Sequence, residues 1–145
     1  MTKKMAILPL CLIAISGFAH ASGMDPIETR QAGQDLLAGD YSGIKAVIAA
    51  KGEVKSLEKP AEAMARWIRQ FPTQFPPGSE QGHNTKALPA IWSDPAGFEK
   101  AAVTMAEASD KLAAMAKAGD AEGVATQFKA VGDACGACHR QFRAR

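Results

Sequence analysis

Apolar residues recur along this chain at intervals of three and four, and the two-residue alternation of a half-buried strand is nearly absent. Asp25-Pro26-Ile27-Glu28 reads as a helix start, with an N-cap aspartate, proline in the first turn and glutamate three residues past the cap. From there Ile27, Leu37, Tyr41, Ile44, Val47 and Ile48 share a broad face to about Lys51. Gly39 and Gly43 each weaken the middle by roughly 1 kcal/mol relative to alanine, leaving open a bend or a division into two pieces. A second helix is predicted from Lys59-Pro60 through Met64, Trp67, Ile68 and Phe71, until Pro72 stops it. Residues 72–93 hold four prolines and two glycines and read as a long loop. Asp94-Pro95 repeats the capped start, and the third helix carries Phe98, Val103, Met105, Leu112 and Met115 to just before Gly119. Asp120 caps a fourth, which carries Val124, Phe128 and Val131 into a pair of cysteines. Four amphipathic helices, two short connections and one long one predict an all-α chain, an antiparallel four-helix bundle with its candidate chemistry near the C-terminus.

The first 21 residues change this picture. A basic start at Lys3 and Lys4, an apolar run from Ala6 to Phe18 and the small-x-small end Ala19-His20-Ala21 predict a secretory signal peptide over residues 1–21. The run is short for a membrane span, and Cys11 lacks the small neighbours of a lipid-anchored cysteine, so no membrane anchor is expected. Residues 22–145 then form one domain, expected in a bacterial periplasm. Loss of Lys3 and Lys4 takes the formal charge from +2 to neutral, which gives no electrostatic case for nucleic acid or an anionic membrane. Loss of Cys11 leaves Cys135 and Cys138, and a disulfide across so short a loop would constrain the unfolded chain little.

Cys135-Gly136-Ala137-Cys138-His139 is the C-x-x-C-H signature of covalent c-type haem attachment. On a helix, positions i, i+3 and i+4 share one face, so both thiols can reach one porphyrin edge while the imidazole turns under it to the iron. A thioredoxin-like redox pair would need an α/β setting, and a zinc site would need more ligands than His83 can add. Only "RQFRAR" follows His139, without a methionine, so any second axial ligand must come from upstream.

Four stretches now carry a family resemblance: "ETRQAG" at 28–33, "FPPGSE" at 75–80, "PAIWSDPAGF" at 89–98 and "FKAVGDACGACHRQFR" at 128–143. Together they make nearly all of residues 22–145 similar to the cytochrome c′ and cytochrome c-556 family, the class II c-type cytochromes, whose bundle is a known four-helix example. The resemblance implies one covalently attached haem c per chain, with Cys135 and Cys138 as thioether anchors and His139 as the proximal iron ligand. It further implies Arg143 beside the proximal imidazole and Arg30 near a haem propionate, where a guanidinium pairs well with a carboxylate. From the residues alone, Arg30 reads equally as a solvated charge. Relatives of this kind often pair through their first two helices, which makes a homodimer an expected partner state.

In c-556-like members the position four residues after this arginine is an iron-binding methionine, and in c′ members it is usually apolar. Here it is Gln34. Gln34 follows Ile27 by seven residues and so belongs to the apolar stripe, where an unpartnered amide costs about 1–3 kcal/mol. A distal role toward a bound ligand accounts for it, with Leu37 over the iron as the alternative. Met64, Met105 and Met115 read as core filling and His83 as an exposed loop residue. Trp67, Phe71, Phe75, Trp92, Phe98 and Phe128 are expected to pack around the macrocycle, with Trp92 a candidate to stack beside a propionate. The resemblance implies a five-coordinate haem that takes nitric oxide or carbon monoxide, or alternatively a six-coordinate, c-556-like electron carrier serving periplasmic redox partners. A peroxidase would want a distal acid–base histidine, and none is in register.

Overall fold

The computed structural model describes residues 24–145, and the expected signal peptide lies outside them. The long helices are α1 (Pro26–Ala49), α2 (Glu58–Gln70), α4 (Pro95–Ala118) and α5 (Ala121–Phe142), with a single-turn α3 (Ala90–Ser93) in the long connection. Together they form a four-helix bundle with no strand among the described residues, as the spacing predicted. No helix among these residues is long and apolar enough to cross a membrane.

The helix starts follow from local chemistry. The Asp25 carboxylate accepts from the Ile27 and Glu28 N–H groups at 2.7 and 3.2 Å. Asp94 accepts from Gly97 N–H at 3.0 Å and Asp120 from Gly123 N–H at 2.9 Å. Each cap satisfies an orphan donor and contributes about 1 kcal/mol. At the end of α4, Gly119 takes the left-handed conformation (φ 76°) that an L side chain resists. The glycines at 39 and 43 do not divide α1, which runs unbroken to Ala49. A 3₁₀ turn, Val54–Leu57, precedes α2, so that helix is entered one residue before Lys59 and from a turn the sequence reading missed.

The densest packing joins α2, α4 and α5. Met64, Ile68, Met105, Leu112, Val124 and Val131 are buried there, and α1 adds Leu37 and Ile44. α1 lies against α2 at Gly33, where a Cβ would fall 1.9 Å from the Trp67 ring. It meets α5 at Tyr41, whose ring stacks on Phe128 at 4.4 Å between centroids. Gly33 thus sets how closely α1 approaches the rest of the bundle. The Gly33→Ala variant is expected to lose about 1–3 kcal/mol by displacing the indole. Equilibrium urea unfolding measures this, and an unchanged midpoint would show that Trp67 has somewhere else to go.

The long connection is ordered by its fastenings. A 3₁₀ turn (Phe71–Gln74) opens it. Gln31 then donates to the His83 carbonyl at 2.9 Å, and the His83 ring stands 3.3 Å from Glu28 and 3.8 Å from Asp25. His83 is exposed, as its loop position suggested, and its ring stands against the start of α1. On the other side, Leu88 N–H donates to Phe142 O at 3.0 Å and Ala144 N–H to Lys86 O at 2.8 Å. The loop is tied to the start of α1 and to the end of α5, and these are the walls of the site.

Candidate haem site

A cleft of about 810 Å³ opens between α1 and α5, within the roughly 300–1,000 Å³ of small-molecule and cofactor sites. Cys135, Cys138 and His139 line one side from consecutive turns of α5. Gln34, Leu37 and Tyr41 line the other from α1, and Phe71, Phe98, Met105 and Phe142 supply apolar surface between them. The single α5 helix carries the whole motif through to Phe142, which explains why the three groups share a face.

The two thiols are free and half-buried. Burial pushes both thiols up, and Cys135 adds to the shift at Cys138. Such thiols carry little thiolate and are slow to oxidise. The Cys135 sulfur lies 3.8 Å from that of Met105. His139 is held below its ordinary value by partial burial and by the Arg143 guanidinium. Neutral imidazole is the form that binds a metal, so Arg143 favours a ligating state of His139. Among the described residues no group of three or more His, Cys, Asp and Glu could hold a metal ion.

Arg30 is 3% exposed, which excludes its reading as a solvated charge. One terminal nitrogen donates to Gln74 O at 3.2 Å and Ser79 Oγ at 2.9 Å. The other donates to Ser79 O at 2.8 Å and Thr85 Oγ1 at 3.1 Å. The guanidinium also stacks over Phe75, 4.4 Å from the ring centre. Burial lowers its pKa, against the opposing fields of Asp25 and Glu80. Among the described residues it makes no ion pair. A buried cation without a counter-ion, beside the cleft, is what a carboxylate-bearing ligand would complete.

The expected aromatic shell divides. Phe71, Phe75 and Phe98 do line the cleft. Trp67 packs on Gly33 with its indole N–H buried and unpartnered, and Phe128 backs Tyr41. Trp92 donates to Phe75 O at 3.1 Å, so its N–H serves the loop. Met64 is core as expected, while Met105 is both core and cleft wall. Tyr41, read only as part of the apolar face of α1, and Phe142 are lining residues that the sequence reading did not place at the site. Both had a signal: Tyr41 follows Gln34 by seven residues, and Phe142 follows Cys138 by four.

The residues present fit haem c: two thiols and an imidazole on one helical face, an apolar cleft, and a buried cation that makes no ion pair among the described residues. Comparison with known proteins agrees. The family model described as Cytochrome C′ matches residues 25–143. The cytochrome c′ of Rubrivivax gelatinosus is 38% identical over 123 residues, covering 82% of this chain and 94% of that one. A cytochrome c-556 of Agrobacterium tumefaciens (strain II Chrys) is 31% identical over 121 residues, 81% of this chain and 95% of its own. Among solved structures, a cytochrome c′ described by an unusual ligand-controlled dimer dissociation superimposes with a TM-score of 0.78 at 30% identity, covering 86% of this chain and all of that one. A nitric oxide complex of a cytochrome c prime variant from Alcaligenes xylosoxidans gives 0.74 at 28% identity, covering 83% and 94%. This chain belongs to the cytochrome c′ family of haem proteins.

Proposed function

We propose that the mature chain, residues 22–145, is a periplasmic monohaem cytochrome whose haem is five-coordinate, binds small diatomic gases and can exchange electrons. The observation that carries this reading is the composition of the α1 wall: Gln34, Leu37, Ala38 and Tyr41 face the motif, and none is a methionine or histidine. The cleft's one methionine, Met105, stands beside the Cys135 sulfur. Cys135, Cys138 and His139 would hold haem c, which would supply an iron able to take a small ligand and a one-electron couple. His139 would bind the iron, burial and then the Arg143 guanidinium lower the pKa of that imidazole, and Arg30 offers a cation for a propionate through its remaining Nε–H. Gln34 offers an amide donor where an apolar side chain would offer none. The nitric oxide complex of the Alcaligenes xylosoxidans relative makes nitric oxide the first ligand to try.

The optical spectrum of the purified holoprotein, oxidised and reduced, with and without nitric oxide, tests this. A broad high-spin reduced Soret band that shifts with the gas is expected. Sharp low-spin bands indifferent to gas would establish a sixth protein ligand and the c-556-like electron carrier instead. In the Gln34→Leu variant, loss of one hydrogen bond of about 1 kcal/mol should speed ligand dissociation roughly fivefold. Flash-photolysis and stopped-flow rates equal to those of the unaltered protein would remove Gln34 from the ligand's surroundings.

A homodimer is part of the same proposal. Ala32, Leu36, Gly39, Gly43 and Ala46 are exposed and recur on α1 at spacings of four and three, Leu36 being 74% exposed. This is the small-residue seam along which two helices approach closely. The unaltered protein should sediment as a dimer, and the double variant Leu36→Asp, Gly43→Arg as a monomer with the same visible spectrum. Equal sedimentation of the two would move any pairing to another face.

A further inference from the structure

Charge is distributed unevenly around the cleft. Arg140, Arg143 and Arg145 lie at the end of the chain, and Lys86 joins them because Ala144 N–H donates to Lys86 O and Ala87 pairs antiparallel with Arg143. All four side chains are exposed. None makes an ion pair among the described residues. No acidic residue occurs in 81–93 or in 134–145. Asp133, the acid just before them, is engaged by Lys129 at 2.7 Å. Lys86 and Arg143 also line the cleft alongside His139. The opposite wall has the other sign: Asp25, Glu28, Asp35 and Asp40 belong to the start and first half of α1, with Arg30 the only cation among them.

A chain that is formally neutral over residues 22–145 therefore presents a basic edge beside its haem cleft. The terminal carboxylate of Arg145 removes part of that charge. Of the two carboxylates haem c brings, Arg30 stands ready for one on the far wall, so positive charge remains in excess at the edge. Complementary charge of this kind steers encounter and fixes orientation more than it adds affinity.

We propose that the edge formed by Lys86, Arg140, Arg143 and Arg145 is the docking surface for an acidic one-electron redox protein. The inference rests on the cytochrome reading above and adds to it where the partner binds and what charge it carries. In each encounter the partner's centre loses one electron to the haem iron, or gains one from it. No bond is made or broken and no proton moves. An acidic protein suits this edge better than a lipid surface, because membrane attachment also needs apolar anchors. Among the described residues, the large exposed apolar ones, Met24, Leu36 and Val103, all lie on other parts of the chain.

Two probes of the holoprotein test the edge. Hexacyanochromate(III), a redox-inert paramagnetic trianion, added to the diamagnetic ferrous carbon monoxide complex, should broaden the amide NMR signals of residues 86 and 140–145 before any others. Hexacyanoferrate(III) should oxidise the reduced protein at a rate that falls as ionic strength rises from 10 to 300 mM, although the chain is neutral, since screening acts on the local charge. The double variant Arg140→Glu, Arg145→Glu, which leaves Lys86 and Arg143 in place, should be slower at low salt by roughly tenfold, the low end of electrostatic steering. The control Lys100→Glu, Lys111→Glu, on α4, should change the rate less than twofold. Broadening elsewhere, or equal effects in the two double variants, overturns the docking edge. A haem-loaded protein that hexacyanoferrate(III) cannot oxidise at all sinks the electron-transfer reading beneath it. Salt-sensitive sedimentation with phosphatidylglycerol vesicles, lost in Arg140→Glu, Arg145→Glu, would replace the protein partner with a membrane.

Discussion

Replacing Cys135 and Cys138 together by alanine is expected to abolish covalent haem, leaving no haem-stained band on a denaturing gel and no haem adduct in the mass spectrum. The loss should extend beyond the pigment. The thiols and His139 stand on one wall of a cleft of about 810 Å³, and much of the rest of its surface is apolar side chain from Phe71, Phe98, Met105 and Phe142. Filled, that surface is part of the core. Open to water, it forfeits about 25 cal/mol for every Å² that haem would have covered. The variant should therefore unfold at a markedly lower urea concentration, with a less cooperative transition than the haem-loaded protein. Single variants separate the contributions, since each retains one thioether and the His139 ligand. A double variant that still carried haem through boiling in detergent would show that the motif is not the attachment site.

Much of this site was legible because its chemistry is local. Asp25, Asp94 and Asp120 mark helix starts through hydrogen bonds that span two or three residues, and C-x-x-C-H acquires its meaning from the spacing of one helical turn. Arg30 was harder to read. Its four acceptors come from Gln74, Ser79 and Thr85, 44 to 55 residues away, and no periodicity in α1 distinguishes it from a solvated arginine. Trp67 and Trp92 are absent from the cleft's lining for a related reason. Aromatic residues near a large apolar ligand are easily counted into its shell, but one indole covers Gly33 and the other hydrogen-bonds the loop at Phe75. The glycine was the missed clue, since a helix interior tolerates glycine poorly unless something must come close. The glycines at 39 and 43 carry the opposite lesson, because a Cβ at either would meet open space. They stand on an outer face of α1, where spacing suits a second helix.

Arg30→Ala is expected to cost about 3 kcal/mol, far more than the half kilocalorie typical of a surface charge. The guanidinium donates to two backbone carbonyls and two hydroxyls at once and lies over Phe75. Alanine would leave the Gln74 and Ser79 carbonyls without this donor, and each unsatisfied group costs about 1–3 kcal/mol, with relaxation and entering water taking back part of the total. Lysine should recover less than half of the loss, because a compact ammonium cannot span the four acceptors that a planar fork reaches. Urea unfolding measures the cost, and limited proteolysis locates it: cleavage should concentrate between residues 75 and 87, the segment Arg30 fastens to α1. A loss below about 1 kcal/mol would show that the loop is held by its other ties, at Gln31, His83 and the end of α5. The reduction potential then separates the two duties proposed for this side chain. Removing a cation from beside a haem carboxylate favours the ferric state, so a potential that falls along with the stability ties Arg30 to the propionate. A full loss of stability at unchanged potential confines Arg30 to the loop, and its missing counter-ion is then the field of Asp25 and Glu80 alone.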